Sequence, residues 1–157
     1  FVAHANGHKL SGTHALINVG AQWTNLVVLK GEIPYLVRDI PWGADKLTRQ
    51  MAEQLGLEAA AVVSQLKGQA APPTEMFEAM KTTCESLTAE LQLSFDFFES
   101  RFGPPPNQIL ISGGFSQSAS FLEALKSHLA QPLAAWAPGT GLSGQFAVAY
   151  GLAVRGS

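Results

Sequence analysis

"HALINVGAQWTNLVVLKG", residues 14–31, holds two apolar, branched runs hinged on Gly20, Ala21 and Gln22. "ALINV" (15–19) and "TNLVVLK" (24–30) have the composition of β-strands, and the glycine-containing turn between them makes a hairpin. Lys30, Gly31 and Glu32 form a second short turn, so "IPYLVRDI" (33–40) is predicted as a third strand. Three strands joined by tight turns make an antiparallel meander, which Pro41, Trp42 and Gly43 end.

Outward from the meander the period changes. Leu47, Met51 and Leu55 recur at helical spacing, with Gly56 as the stop. "EAAAVVSQLK" (58–67) predicts a second helix, and "GQAAPPT" (68–74) breaks it, with Thr74 placed to cap the next. That next helix, 75–102, carries Phe77, Met80, Cys84, Leu87, Leu91, Phe95, Phe98 and Phe102 at steps of three or four. "GPPPNQ" (103–108) stops it, and "ILIS" (109–112) reads as a buried parallel strand. Gly113, Gly114 and Phe115 turn the chain into a helix carrying Phe121, Leu122, Leu125 and Leu129, capped by Ser116 or Ser118. "PLAAW" (132–136) is the last strand, and "SGQFAVAYGLAV" (143–154) a small-residue helix. Residues 1–13 read as a lead-in loop.

The order is therefore an α/β, ribonuclease-H-like lobe. Its mixed five-stranded sheet combines the three-stranded antiparallel meander with two parallel strands, and helices lie on both faces. At 157 residues the chain suits one domain. It is 46% hydrophobic and only 14% charged, which implies a large core or a surface meant to be covered. A net charge of -2 without a Lys/Arg cluster excludes a nucleic-acid footprint. The single cysteine excludes an internal disulfide and fits a reducing compartment. No apolar run reaches the roughly 20 residues of a membrane span. With no signal-peptide pattern and Phe rather than Met at position 1, the chain reads as a cytoplasmic, processed or truncated piece.

Two turns put glycine where backbone amides can meet a ligand. In "NVGAQWT", amides after Gly20 are candidates for phosphate oxygens. In "ISGGF", a buried strand runs through paired glycines into a helix N-terminus. Other candidates are weaker. Cys84 lies on the apolar stripe and reads as core. Asp96 and Glu99 fit a solvated edge, and Asp45 the first turn of a helix better than a pair with Asp39. His4, His8 and His14 have no cysteine or acidic partner for a metal, and no Ser-His-Asp arrangement exists.

Three stretches resemble the C-terminal half of the PilM family, the actin-like cytoplasmic proteins of type IV pilus assembly related to FtsA. "ALINVGAQWTNLVVLKGEIPYLVRDIPWGADKLTRQMAEQLGL" is similar to its second phosphate hairpin and the R-D-I-P-[FW]-G step. "LTAELQLSFDFFESRFGPPPNQILISGGFSQSASFLEALKSHL" resembles its long helix and adenosine motif, and "FAVAYGLAVRG" its C-terminal helix. The resemblance makes 14–157 the second lobe of an actin-like fold, with 57–74 as a reduced helical insertion.

Residue by residue, the resemblance puts Asn18 at the hairpin aspartate that helps hold water around Mg²⁺, a task an amide performs without the full charge. Gly20 and Ala21 would lie against the β-phosphate, and Gly113 and Gly114 beside adenosine. Phe115 stands for a third glycine, its ring set to crowd adenine or stack on it. Lys67 is the charge left near the end of a normally acidic, adenine-bordering helix. ATP and Mg²⁺ are thus expected only with the first half of the fold restored, and no cofactor for this piece alone. The expected role is a scaffold rather than an enzyme, at the inner-membrane face through partners. A PilN-like membrane protein would bind the other lobe, and self-association is open. The alternative is a nucleotide-driven ATPase of the actin, Hsp70 and sugar-kinase superfamily whose other half supplies the catalytic groups. A third is a filament-forming protein like FtsA.

Overall fold

The computed structural model describes residues 11–67, 71–137, 143–146 and 148–149. The chain runs β1 (Thr13–Val19), β2 (Thr24–Lys30), β3 (Ile33–Ile40), α1 (Ala44–Leu55), α2 (Ala59–Lys67), α3 (Thr74–Phe102), β4 (Gln108–Gly113), α4 (Ala119–Lys126), β5 (Leu133–Ala135) and a 3-10 turn, Gly144–Phe146. One sheet has the order β3-β2-β1-β4-β5. β1, β2 and β3 pair antiparallel, while β4 lies parallel to β1 and β5 parallel to β4. This is the mixed five-stranded sheet expected from the turn pattern.

Strand alternation sorts the sheet into two faces. Ala15, Ile17 and Val19 of β1, Leu26 and Val28 of β2, and Ile109 and Ile111 of β4 enter one buried cluster with α1, α2, α3 and α4. Leu16, Asn18, Asn25, Val27, Leu110 and Ser112 point to the opposite face, where they line a cavity of about 600 Å³ with Trp136 and Val148. The helix expected over 143–154 falls largely outside the described residues, as do residues 1–10 of the lead-in with His4 and His8, the breaker at 68–70, and 138–142.

α3 is 29 residues long, about 44 Å at 1.5 Å per residue, and outruns strands that span roughly 10–27 Å. Its buried face runs from Met76 and Ala79 through Met80, Cys84, Leu87, Leu91 and Phe95 to Phe98, while Phe77 and Phe102 pack against the core only partly buried. Thr74 is not a cap. Pro73 holds the N-cap position without a side-chain hydrogen bond, and Thr74 opens the helix. α4 is capped by Ser118, whose hydroxyl accepts from the Phe121 amide at 3.3 Å. α1 ends as expected at Gly56, which takes the left-handed φ of +63°.

Candidate functional site

The β1–β2 turn is closed by the Gly20 amide, which donates to the Trp23 carbonyl at 2.9 Å. The Gly20 carbonyl accepts from the Ala44 amide, and the Ala21 carbonyl from the Asp45 amide, each at 2.9 Å. Two N-terminal amides of α1, which lack partners inside their own helix, are thereby satisfied by the hairpin tip. The described peptide bonds are all trans, so each N–H points opposite to the carbonyl of its plane. With both carbonyls turned down onto α1, the amides of Ala21 and Gln22 point away from it, and both residues are exposed. Neither amide donates to another described residue. Two successive outward amides are donors that can meet an anion.

Gly43 makes this arrangement sterically feasible. A Cβ there would meet the Ala21 carbonyl oxygen at 2.4 Å and the Gln22 nitrogen at 2.7 Å. Its backbone is extended (φ −159°), so close approach alone demands the glycine. The same reason holds at Gly20, where a Cβ would lie 2.9 Å from the Trp23 carbonyl oxygen. Thr24 adds a further tie, its hydroxyl donating to the Trp42 carbonyl at 2.7 Å.

Asn18 sits beneath the turn in a row of polar side chains that crosses four strands. The Ser112 hydroxyl donates to Asn18 Oδ1 at 3.2 Å. Asn18 Nδ2 donates to Asn25 Oδ1 at 3.4 Å, and Asn25 Nδ2 to Asp39 Oδ1 at 2.6 Å. The residues are directly opposed in register, Asn18 with Asn25 and Ser112, and Asn25 with Asp39. The amide identity of residue 18 is thus built into the sheet: it both accepts and donates, whereas a carboxylate can only accept. As a donor set the region suits a phosphate at the Ala21 and Gln22 amides. For a magnesium ion it lacks the carboxylate at position 18, and the carboxylate of the row, Asp39, is engaged with Asn25.

The second glycine turn separates into structural and unassigned positions. Gly113 has φ +109°, and a Cβ there would lie 2.1 Å from the Val19 carbonyl oxygen. It is glycine because β4 presses against β1. Gly114 is exposed, with nothing within 4 Å of an added Cβ. Phe115, the residue expected to crowd adenine or stack on it, is 6% exposed and packs on Phe121 with ring centroids 6.0 Å apart. Its apolar ring turns down into the core cluster. Lys67 is exposed at the end of α2, and no hydrogen bond or ion pair ties it to either glycine turn. Sequence pattern does not mark the spacer Gly43, or Asn25, Asp39 and Ser112, as site residues. Hairpin register alone puts Asn18 opposite Asn25 and Asn25 opposite Asp39, so part of the row was within reach.

The remaining candidates resolve simply. Cys84 is fully buried, and that burial pushes its thiol pKa up to about 12. Asp45 stands in the first turn of α1, and Asp96 accepts from Gln92 on an exposed edge. His14 is buried, and among the described residues no cluster of His, Cys, Asp and Glu could hold a metal.

The family profile of the type IV pilus assembly protein PilM matches residues 4–157. Among curated proteins, none matches the sequence. In structure the chain is similar to a chain of the PilM–PilN type IV pilus biogenesis complex, at TM-score 0.79 and 24% identity, covering 99% of this chain and 48% of that one. It also resembles the ethanolamine utilization protein EutJ from Carboxydothermus hydrogenoformans (TM-score 0.71, 15% identity, 98% and 51% covered). An archaeal actin homologue in complex with ADP matches at TM-score 0.67 and 18% identity, with 99% and 54% covered. The chain spans about half the length of these structures, and they share its actin-like fold.

Proposed function

The chain belongs to the PilM family of type IV pilus assembly proteins, and from that membership we propose that it is the second lobe of an actin-like scaffold that binds rather than turns over nucleotide. The observation that carries this reading is the pair of outward amides at Ala21 and Gln22, fixed by carbonyls bonded to the start of α1. They offer phosphate a preorganised cradle at no cost in rearrangement. Residue 18 beneath them is an amide locked by Ser112 and Asn25 rather than a free carboxylate. Such a cleft retains the means to grip an anion and lacks this lobe's contribution to a hydrated metal. A PilN-like protein at the inner-membrane face is the partner this reading assigns to the other lobe, by analogy with the pilus biogenesis complex. No described helix is long and apolar enough to cross a membrane, so attachment would run through such a partner.

The alternative, an ATPase completed by catalytic groups of another half, draws on the likeness to an ADP-bound actin homologue. Calorimetric titration of Mg-ATP into this lobe joined to a first half, beside an Asn18→Asp variant, separates the readings. Micromolar binding without hydrolysis supports the scaffold. Hydrolysis by the unaltered protein favours the ATPase, and absence of binding in both rejects a nucleotide role.

A further inference from the structure

β3 is the edge of the sheet, and among the described residues nothing pairs with its outer side. An edge strand leaves every second backbone N–H and C=O without a ladder partner. Pro34 removes one donor, but the strand still exposes Ile33, Tyr35 and Val37, the last at 68%. Beside this edge lies a channel of about 420 Å³ lined by Leu36, Arg38, Leu93, Ser94 and Phe97. Leu93 is 60% and Phe97 47% exposed, unusual for large apolar residues that are neighbours on one helix face.

The channel has a direction and a charge gradient. Tyr35 meets Phe102 with ring centroids 5.5 Å apart, while Arg38 donates to Ser94 Oγ at 2.8 Å. β3 and α3 therefore run side by side in opposite senses. Leu93 and Phe97, four residues apart on a helix, are separated by about 6 Å of rise. Alternate side chains of a strand repeat at about 6.6 Å. At one end Arg38 is neutralised by Glu90. At the other, the Lys30 ammonium lies 5.4 Å from the Tyr35 ring centroid and the Arg101 guanidinium 5.5 Å from that of Phe97. Neither cation has a carboxylate partner among the described residues.

We propose that this channel docks an extended segment of a partner protein, which adds to β3 as a sixth strand with apolar residues at alternate positions and acidic residues at the Lys30–Arg101 end. The free backbone edge selects a strand rather than a helix. The matched spacing seats alternate side chains on Leu93 and Phe97, and Arg101 together with Lys30, whose ammonium also donates to the Phe102 carbonyl at 2.7 Å, selects acid. A second copy suits the site less: its own β3 carries one carboxylate, Asp39, which faces away from α3.

The test uses a fluorescent synthetic peptide that alternates valine and threonine and ends in two aspartates. Its controls are a version ending in two lysines and one N-methylated at alternate residues. Anisotropy is expected to give binding at least tenfold tighter for the aspartate peptide than for either control, weakened by salt. Leu93→Glu and Arg101→Gln, both exposed positions checked for folding by circular dichroism, should each weaken it several-fold. Hydrogen exchange should slow at 33–40 on binding. Failure of the aspartate peptide to bind, or equal binding of all three peptides, overturns the proposal. So does a dimer in sedimentation that Leu93→Glu dissolves, which would put a second copy on the edge. None of these outcomes depends on nucleotide binding.

Discussion

A Cβ on Gly43 would lie 2.4 Å from the carbonyl oxygen of Ala21, so the start of α1 and the tip of the β1–β2 hairpin meet at backbone distance. Any side chain at 43 must separate them and break the hydrogen bonds from Ala44 and Asp45 that orient the turn. Gly43→Ala is expected to destabilise the fold by about 1–3 kcal/mol, the range for forced overpacking, read by urea denaturation. If the turn binds phosphate, the same change should weaken nucleotide affinity of the assembled two-lobe protein.

Gly113 and Gly114 should respond in opposite ways. Gly113→Ala forces a positive φ and a 2.1 Å contact onto a residue with Cβ, and should abolish cooperative thermal unfolding or lower the midpoint steeply. Gly114→Ala enters open space and should leave stability within about 0.5 kcal/mol. A loss of nucleotide affinity in the Gly114 variant with unchanged melting would identify it as a ligand-facing glycine.

Phe115 is buried on Phe121. Phe115→Ala should cost about 3–5 kcal/mol, as for other buried aromatics, and should not improve nucleotide affinity. Tighter binding in that variant would mean that the ring obstructs the cleft after all.

Cys84 supplies a pH dependence. Its thiol pKa is about 12 in the fold against 9.0 for the free group, so above pH 9 the unfolded chain releases a proton that the native one keeps. The group's contribution to stability is complete below pH 9 and declines as pH rises toward 12, by about 1.4 kcal/mol per pH unit. Stability of the parent and of Cys84→Ala, compared between pH 8 and 11, should differ by that slope. Thiol reagents should leave native Cys84 unmodified.

The polar row predicts a rescue. Asn18→Asp places a second acceptor opposite Asn25, whose amide cannot present nitrogen to both neighbours. The single change should cost roughly 1 kcal/mol. Asn18→Asp combined with Asp39→Asn reverses the need, because residue 39 now donates, and the pair should recover most of the loss in a double-mutant cycle.

The meander, α3 and the parallel strands were legible because each is written locally, in glycine turns, a three-four apolar step and a short branched run. The packing of Phe115 is not written locally, because a residue after two glycines can turn its ring either way. The deciding contact, Phe121, belongs to the next helix. Ser112 was beyond reach, since the register of a parallel strand is set across a long crossover rather than by a turn.

Asp39 can only accept, and every bond in its row consequently points the same way, from Ser112 through Asn18 and Asn25 to the carboxylate. The row behaves like a line of compass needles with one end nailed down. The atom that residue 18 presents beneath the hairpin is chosen at the rim of the sheet, two strands away. A change in hydrogen bonding at that rim can therefore be communicated to the hairpin by side-chain rotation alone, while every strand stays where it is.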